Sequence, residues 1–314
     1  ILTRIMDERE AGNENAIVTT VMCNTLIDAW AKSQDEEAAH KCEVILQWMI
    51  DYSSRSDDSE YKHDLQPNVV SYTSVIDALS KSGKSGAAER AERILNMMQS
   101  KYEDGYEEVQ PNTITFNAVI DAYARTGGAH AAQKAEDLLE RMKQLYLDGN
   151  VNVQPDVYSF NSVLFAWSNA CQCAGAPQRA DAILEKMEEA CRDIEHCKID
   201  KAGMVQPNTF CYTSCMNAWG KSKEKGKARR AYEILQRMNQ MYRAGAKHAK
   251  PNVVAYTTVI NACAYSEGSE RSDAFDIACE TFEELRSHPG YGYPNHATYS
   301  QFLTAAIRLL PSLN

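Results

Sequence analysis

The chain has 314 residues, 44% of them hydrophobic and 24% charged, with a formal net charge of −10. That balance is ordinary for a folded protein, and no apolar run approaches the roughly 20 residues a membrane-spanning helix needs. The acidity also argues against indiscriminate attraction to nucleic acid, which requires a basic field.

Residues 1–19 read as an N-terminal flank. Because the chain starts at Ile1, it is expected to be a segment of something longer, with any targeting peptide outside it. From about residue 20 onward one phrase recurs. Gln66-Pro67-Asn68-Val69-Val70-Ser71-Tyr72-Thr73 returns as Gln110-Pro111-Asn112-Thr113-Ile114-Thr115-Phe116-Asn117, then from Gln154, Gln206 and Lys250. A degenerate first copy surrounds Asn24-Thr25-Leu26, and a partial seventh opens at Pro294-Asn295-His296. Equivalent residues Asn24, Thr73, Asn117, Asn161, Thr213, Thr257 and Ser300 are spaced by 49, 44, 44, 52, 44 and 43 positions. A period in this range signals a solenoid whose units cannot bury their apolar faces alone. Residues 20–314 are therefore predicted to be all-α, with six repeats starting near 20, 69, 113, 157, 209 and 253 and a partial seventh from 296.

Each unit divides into two helices. Proline disfavours helix in the residue before it, and the following Asn or Asp can cap the helix that begins next. In the second repeat Tyr72, Val75, Ile76 and Leu79 form an apolar stripe at i, i+3, i+4 and i+7. Trp30, Trp167 and Trp219 occupy one equivalent core position. Ala29, Ala78, Ala122, Ala166, Ala218 and Ala262 are invariant among the six units, which implies close helix–helix approach. The second helix carries Ala91, Ile94, Leu95 and Met98, repeated as Ala135, Leu138, Leu139 and Met142 and in two later copies. The segment Gly83-Lys84-Ser85-Gly86 lacks the preceding strand and spacing of a phosphate loop and reads as a turn. The variable stretches 51–66 and 188–206 fall after second helices, where they lengthen the helix or form loops. The acidic clusters Asp57-Asp58-Ser59-Glu60, Glu103-Asp104, Glu107-Glu108 and Glu188-Glu189 are expected on loops and outer surfaces.

Six cysteines, Cys23, Cys42, Cys211, Cys215, Cys263 and Cys279, fall at small apolar positions of the helical pattern. Cys171-x-Cys173 and Cys191 to Cys197 lack the paired spacing of a zinc module, so no metal or other cofactor is expected. The seven histidines fall at unrelated repeat positions, with no catalytic constellation, so the segment is not expected to be an enzyme. The basic run Lys221, Lys223, Lys225, Lys227, Arg229 and Arg230 reads as a solvated turn.

Once the core positions are assigned, a second stripe remains on the first helix. Asn24, Asp28 and Lys32 recur as Thr73, Asp77 and Lys81 and as Asn117, Asp121 and Arg125. Looser versions are Asn161, Phe165 and Asn169; Thr213, Asn217 and Lys221; and Thr257, Asn261 and Tyr265. An Asp followed four residues later by a cation is a helix-stabilising pair worth about 0.2–0.5 kcal/mol. That does not explain the first member, always a short hydrogen-bonding residue of mediocre helix propensity. Three residues before it stands Val21, Val70, Ile114, Tyr158, Phe210 or Val254. An apolar platform beside a polar reader, with a cation two turns on, suits a base and its phosphate.

The phrase Asn117-Ala118-Val119-Ile120-Asp121-Ala122-Tyr123, the second-helix phrase ending at Met142 and the Pro155-Asp156 step resemble pentatricopeptide repeat proteins from about residue 20 to the end. The resemblance implies a right-handed superhelix of antiparallel helix pairs that binds single-stranded RNA at one base per repeat. It further implies that the polar reader selects the base together with the residue closing the repeat. On this chain Asn24 would act with Asn68, Thr73 with Asn112, Asn117 with Asp156, Asn161 with Asn208, Thr213 with Asn252, and Thr257 with Asn295. Val21, Val70, Ile114, Tyr158, Phe210 and Val254 would sandwich bases, and Lys32, Lys81, Arg125 and Lys221 would approach phosphates. The implied RNA is C/U-A-U-C/U-A-A. The resemblance also implies a monomer without membrane association, working in a mitochondrion or chloroplast on transcript processing, stability or translation, with proteins recruited to the transcript as further partners. Repeats of 43 to 52 residues depart from the family's usual length of about 35. The alternative reading is a helical-repeat scaffold for proteins, as in tetratricopeptide arrays.

Overall fold

In the computed structural model the protein is described over residues 16–33, 35–55, 65–197 and 205–310, with 2, 4, 5, 8 and 11–13 near the start; at 55 and 190–197 only the backbone is described. The Asp57–Glu60 cluster and part of each long insertion lie outside the described residues. Among the described residues the chain is all-helical. Seven first helices are α1 (Thr20–Lys32), α3 (Val69–Ser82), α5 (Thr113–Thr126), α7 (Val157–Asn169), α9 (Thr209–Lys221), α11 (Val253–Ala264) and α13 (His296–Leu309). Six second helices alternate with them: α2 (Ala38–Arg55), α4 (Ala87–Glu103), α6 (Ala129–Leu147), α8 (Ala176–Cys197), α10 (Lys227–Arg243) and α12 (Arg271–Ser287). Neighbouring helices pack in pairs, the arrangement of a helical-repeat solenoid.

Two compact units are distinguishable. The first comprises residues 1–126 and 142–154, the second 127–141 and 155–314. In the first unit α3 packs on α1, α2, α4 and α5. In the second, α9 packs on α7, α8, α10 and α11, and α11 packs on α12 and α13 as well.

The helical stripe becomes the core as its period dictates. Tyr72, Val75, Ile76 and Leu79 are fully buried, as are Phe116, Val119, Ile120 and Tyr123. The second-helix alanines, aliphatics and methionines are buried in all four copies. The alanines of the first helices do mark a close approach. A Cβ built on Gly220 of α9 would stand 3.2 Å from the Ala262 Cβ of α11. The corresponding face of α1 has no first helix before it among the described residues, so Ala29 is exposed rather than packed, and Trp30 is only half-buried.

Equivalent aromatic positions differ in how their polar atoms are satisfied. The Trp167 indole donates to Glu136 Oε2 at 3.0 Å, and the Tyr123 hydroxyl donates to Glu92. Trp219 finds no acceptor among the described residues. The matching acid on α8 is the shorter Asp181, which already accepts from Arg230 and Arg237. Glu188 is a correction to the expectation of an outer acidic surface: it is buried and pairs with Arg237 at 3.2 Å. Glu103, Asp104, Glu107 and Glu108 are exposed.

The segments that follow second helices are more ordered than their variable sequences suggest. After α4, Gly105 adopts φ +96°, its N–H bonds to the Tyr102 carbonyl, and the Tyr106 N–H bonds back to Lys101. Gly149 and Gly245 repeat this pattern, a left-handed helix cap that satisfies the last carbonyls. A single 3-10 turn follows in each case, at Glu107–Val109, Val151–Val153 and Lys247–Ala249. Its last residue, Val109, Val153 or Ala249, is buried two positions before the proline that opens the next repeat. A buried apolar peg thus fixes where each Pro-Asn or Pro-Asp step begins.

Candidate nucleic-acid interface

The closing residues are helix N-caps. Asn68 Oδ1 accepts from the Val70 and Ser71 amides at 3.1 and 3.2 Å. The Oδ1 atoms of Asn112, Asp156, Asn208, Asn252 and Asn295 accept from Thr115, Ser159, Cys211, Ala255 and Thr298 amides at 2.9–3.0 Å. In α3, α7 and α13 the N3 hydroxyl also accepts the cap residue's own N–H, completing a capping box.

The cap is held beside the preceding first helix. Thr20, Thr113 and Thr209, the first residues of α1, α5 and α9, donate their hydroxyls to the carbonyls of Gln66, Gln154 and Lys250 at 2.7–2.9 Å. Each of those carbonyls precedes the proline of the next closing step, so one threonine ties a reader helix to the residue predicted to act with it.

Four readers, Asn24, Thr73, Asn161 and Thr257, join the same network through the buried N3 residue. In the first unit Ser71 donates to Asn24 Oδ1 at 2.6 Å, and the Asn24 amide donates to Asn68 Oδ1 at 3.3 Å. The hydroxyls of Thr73 and Thr115 lie 2.8 Å apart. In the second unit the Cys211 thiol donates to Asn161 Oδ1 at 3.0 Å, and the Thr257 and Thr298 hydroxyls lie 2.8 Å apart. Where the N3 residue is Ala255 no such partner exists. Thr213 then turns to the Thr209 and Phe210 carbonyls of its own helix and is buried. The other five readers are partly exposed. The N3 residues were not among the predicted site residues; the signal that marks them is the Asn/Asp-x-x-Ser/Thr spacing of the capping box.

The six predicted platform residues are all solvent-exposed. Val21, Val70, Ile114, Tyr158, Phe210 and Val254 range from 46% to 72% exposed. Each lies three residues before a reader, hence on the same helix face. The cations are exposed too, but three are neutralised. Lys32 pairs with Asp28 and Lys81 with Asp77, each at 2.6 Å, and Arg125 pairs with Asp121 at 2.7 Å. Lys221 follows Asn217 instead of an aspartate and pairs with no carboxylate among the described residues.

The geometry gives six first helices an exposed apolar platform at one register, and at Asn24, Thr73, Asn161 and Thr257 it joins the polar reader to the capped N3 residue by hydrogen bonds. A protein-family model, the pentatricopeptide repeat domain, matches residues 59–125, 101–151 and 198–265, together about half of the chain. No curated protein matches the chain significantly. With the helix pairs and the repeated motif on the same residues, the chain belongs to the pentatricopeptide repeat family.

Proposed function

We propose that this chain binds single-stranded RNA by reading one base per repeat, and that it acts on organelle transcripts in a mitochondrion or chloroplast. The observation that carries the reading is the set of six exposed apolar side chains at one register, the second residue of six successive first helices. Full burial of a large apolar side chain is worth about 1.5–3 kcal/mol, and these residues, 46% to 72% exposed, forgo a substantial share of it. Isolated exposed apolar residues need no explanation, but six at one repeat position do. Flat bases supply the missing cover.

The capping geometry supports the expected base preferences on chemical grounds. An Asn whose Oδ1 is held by the helix N-terminus points its NH2 donors away from the helix, toward a base. Adenine and cytosine carry an unprotonated ring nitrogen on the pairing edge and accept from such a donor. An ionised Asp only accepts, which suits the imino N–H of uracil. Asn68, Asn112, Asn208, Asn252 and Asn295 thus favour acceptor bases, and Asp156 favours uracil. With the readers paired as in the family, the expected sequence is C/U-A-U-C/U-A-A, cytosine being the pyrimidine this geometry favours at positions one and four, with Lys32, Lys81, Arg125 and Lys221 toward the phosphates. Transcript protection, remodelling or recruitment of other proteins requires no catalytic group in the array.

Selection from a randomised RNA pool tests the proposal. The expected consensus contains the six-base sequence, and Asp156→Asn moves the third base from U toward C by about tenfold or more in relative affinity. An unrelated consensus refutes the base assignments. If no RNA is retained while pull-downs recover a stable protein partner, the array is a protein scaffold instead.

A further inference from the structure

Resting on that RNA-binding reading, we infer that the fourth base is the anchor of the bound strand, held by three aromatic rings and read with less selectivity than the second base. The rings are Tyr158, Phe165 and Phe210, and Phe165 is assigned here as a stacking residue in its own right. Tyr158, Asn161 and Phe165 fall at i, i+3 and i+7 of α7, so they share one face. The rings of Phe165 and Phe210 lie with centroids 6.3 Å apart, tilted by 52°. Tyr158 is 69% and Phe210 46% exposed. The reader Asn161 is therefore bracketed on its own helix by two rings, with a third supplied by α9.

No other repeat has this composition. The positions equivalent to Phe165 hold Asp28, Asp77, Asp121, Asn217 and Asn261, and the platforms before Asn24, Thr73, Asn117 and Thr257 are aliphatic. The fourth repeat has exchanged its Asp–cation pair for rings: Phe165 replaces the acid and Asn169 the base. Base–aromatic stacking is strong and tolerant of sequence, because every base has a π face. The reader is also less firmly held here. Asn161 Oδ1 receives the Cys211 thiol, a weak donor, where Asn24 receives the Ser71 hydroxyl at 2.6 Å. Strong stacking with a loosely oriented reader yields affinity without discrimination.

The test measures fluorescence anisotropy of a 12-nucleotide RNA centred on C-A-U-C-A-A against the whole chain. An abasic site at position four should weaken binding about tenfold or more, and more than one at position two. Replacing the base at position four by each of the others should change affinity less than the same exchange at position two. Phe165→Asn, which installs the residue found in the next two repeats, should weaken binding to intact RNA but not to RNA abasic at position four. That coupling separates stacking from a structural effect of the substitution. Equal abasic costs at the two positions, or a Phe165→Asn effect that persists on the abasic strand, overturn the anchor while leaving RNA binding intact. Failure of every RNA to bind overturns both.

Discussion

Ser71 is the point at which fold and proposed readout meet, and Ser71→Ala probes both. Its hydroxyl donates to Asn24 Oδ1 at 2.6 Å and accepts the Asn68 N–H at 3.2 Å, and the residue is fully buried. Alanine keeps the helix and the Cβ packing but removes both hydrogen bonds. A typical intramolecular hydrogen bond contributes a net ~1 kcal/mol, and a buried group left without its partner costs ~1–3 kcal/mol. Asn24 is partly exposed and can turn to water, whereas the Asn68 amide is less able to. The expected destabilisation is therefore about 1–2 kcal/mol, read as a lower urea midpoint by circular dichroism without a change of slope. The chain supplies its own comparison. α11 has Ala255 at this position, and Thr213 there bonds to its own helix instead of to the neighbour. Ser71→Ala should accordingly release Asn24 and reduce discrimination at the first base, measured by anisotropy with single-base exchanges. An unchanged urea midpoint together with unchanged first-base preference would refute the idea that the N3 hydroxyl couples cap to reader.

Two further outcomes are expected. Asp77→Asn, which copies the Asn217–Lys221 arrangement, frees Lys81 from its 2.6 Å ion pair. It should tighten RNA binding at low salt and steepen the slope of log K against log salt by about 0.7; an unchanged slope means that Lys81 does not meet a phosphate. Burial pushes the thiols of Cys23, Cys42 and Cys211 up to about 11 from a usual value of 9. The folded state therefore holds these protons more tightly than the unfolded chain. Stability contributed by the neutral thiols is complete below about pH 9 and falls as pH rises toward 11. Urea midpoints measured from pH 7 to 10.5 should decline only above pH 9, and a flat profile contradicts buried neutral thiols.

Much of the helical framework was legible because burial follows period. Tyr72, Val75, Ile76 and Leu79 repeat every three or four residues, and a helix can satisfy that spacing only by turning one side inward. Pro67-Asn68 marked a start because proline blocks helix before it and asparagine caps helix after it. The site was legible by subtraction: polar and apolar residues that the core did not need were left at fixed positions. The hydrogen-bond partners of the readers were not, since the Ser71–Asn24 contact joins residues 47 apart and no local pattern encodes it. The 3-10 turns were missed because their shared content is backbone geometry, with only a glycine and a buried Val or Ala in common. Glu188 was misplaced because an acid on a surface stripe is usually solvated, and its burial depends on Arg237 arriving from the next repeat.

On the proposed readout, the closing residue has a double duty that restricts how this array can be reprogrammed. Asn208, for example, holds the N-terminus of α9 with the same amide whose other end the proposed readout offers to a base. Exchanges within the small group of cap-competent side chains alter base choice while sparing the helix start. Any larger vocabulary at these positions, however well it suited a base, would forfeit about 0.5–2 kcal/mol per repeat. Recognition diversity in such a protein is bounded by what a helix will accept as its first residue.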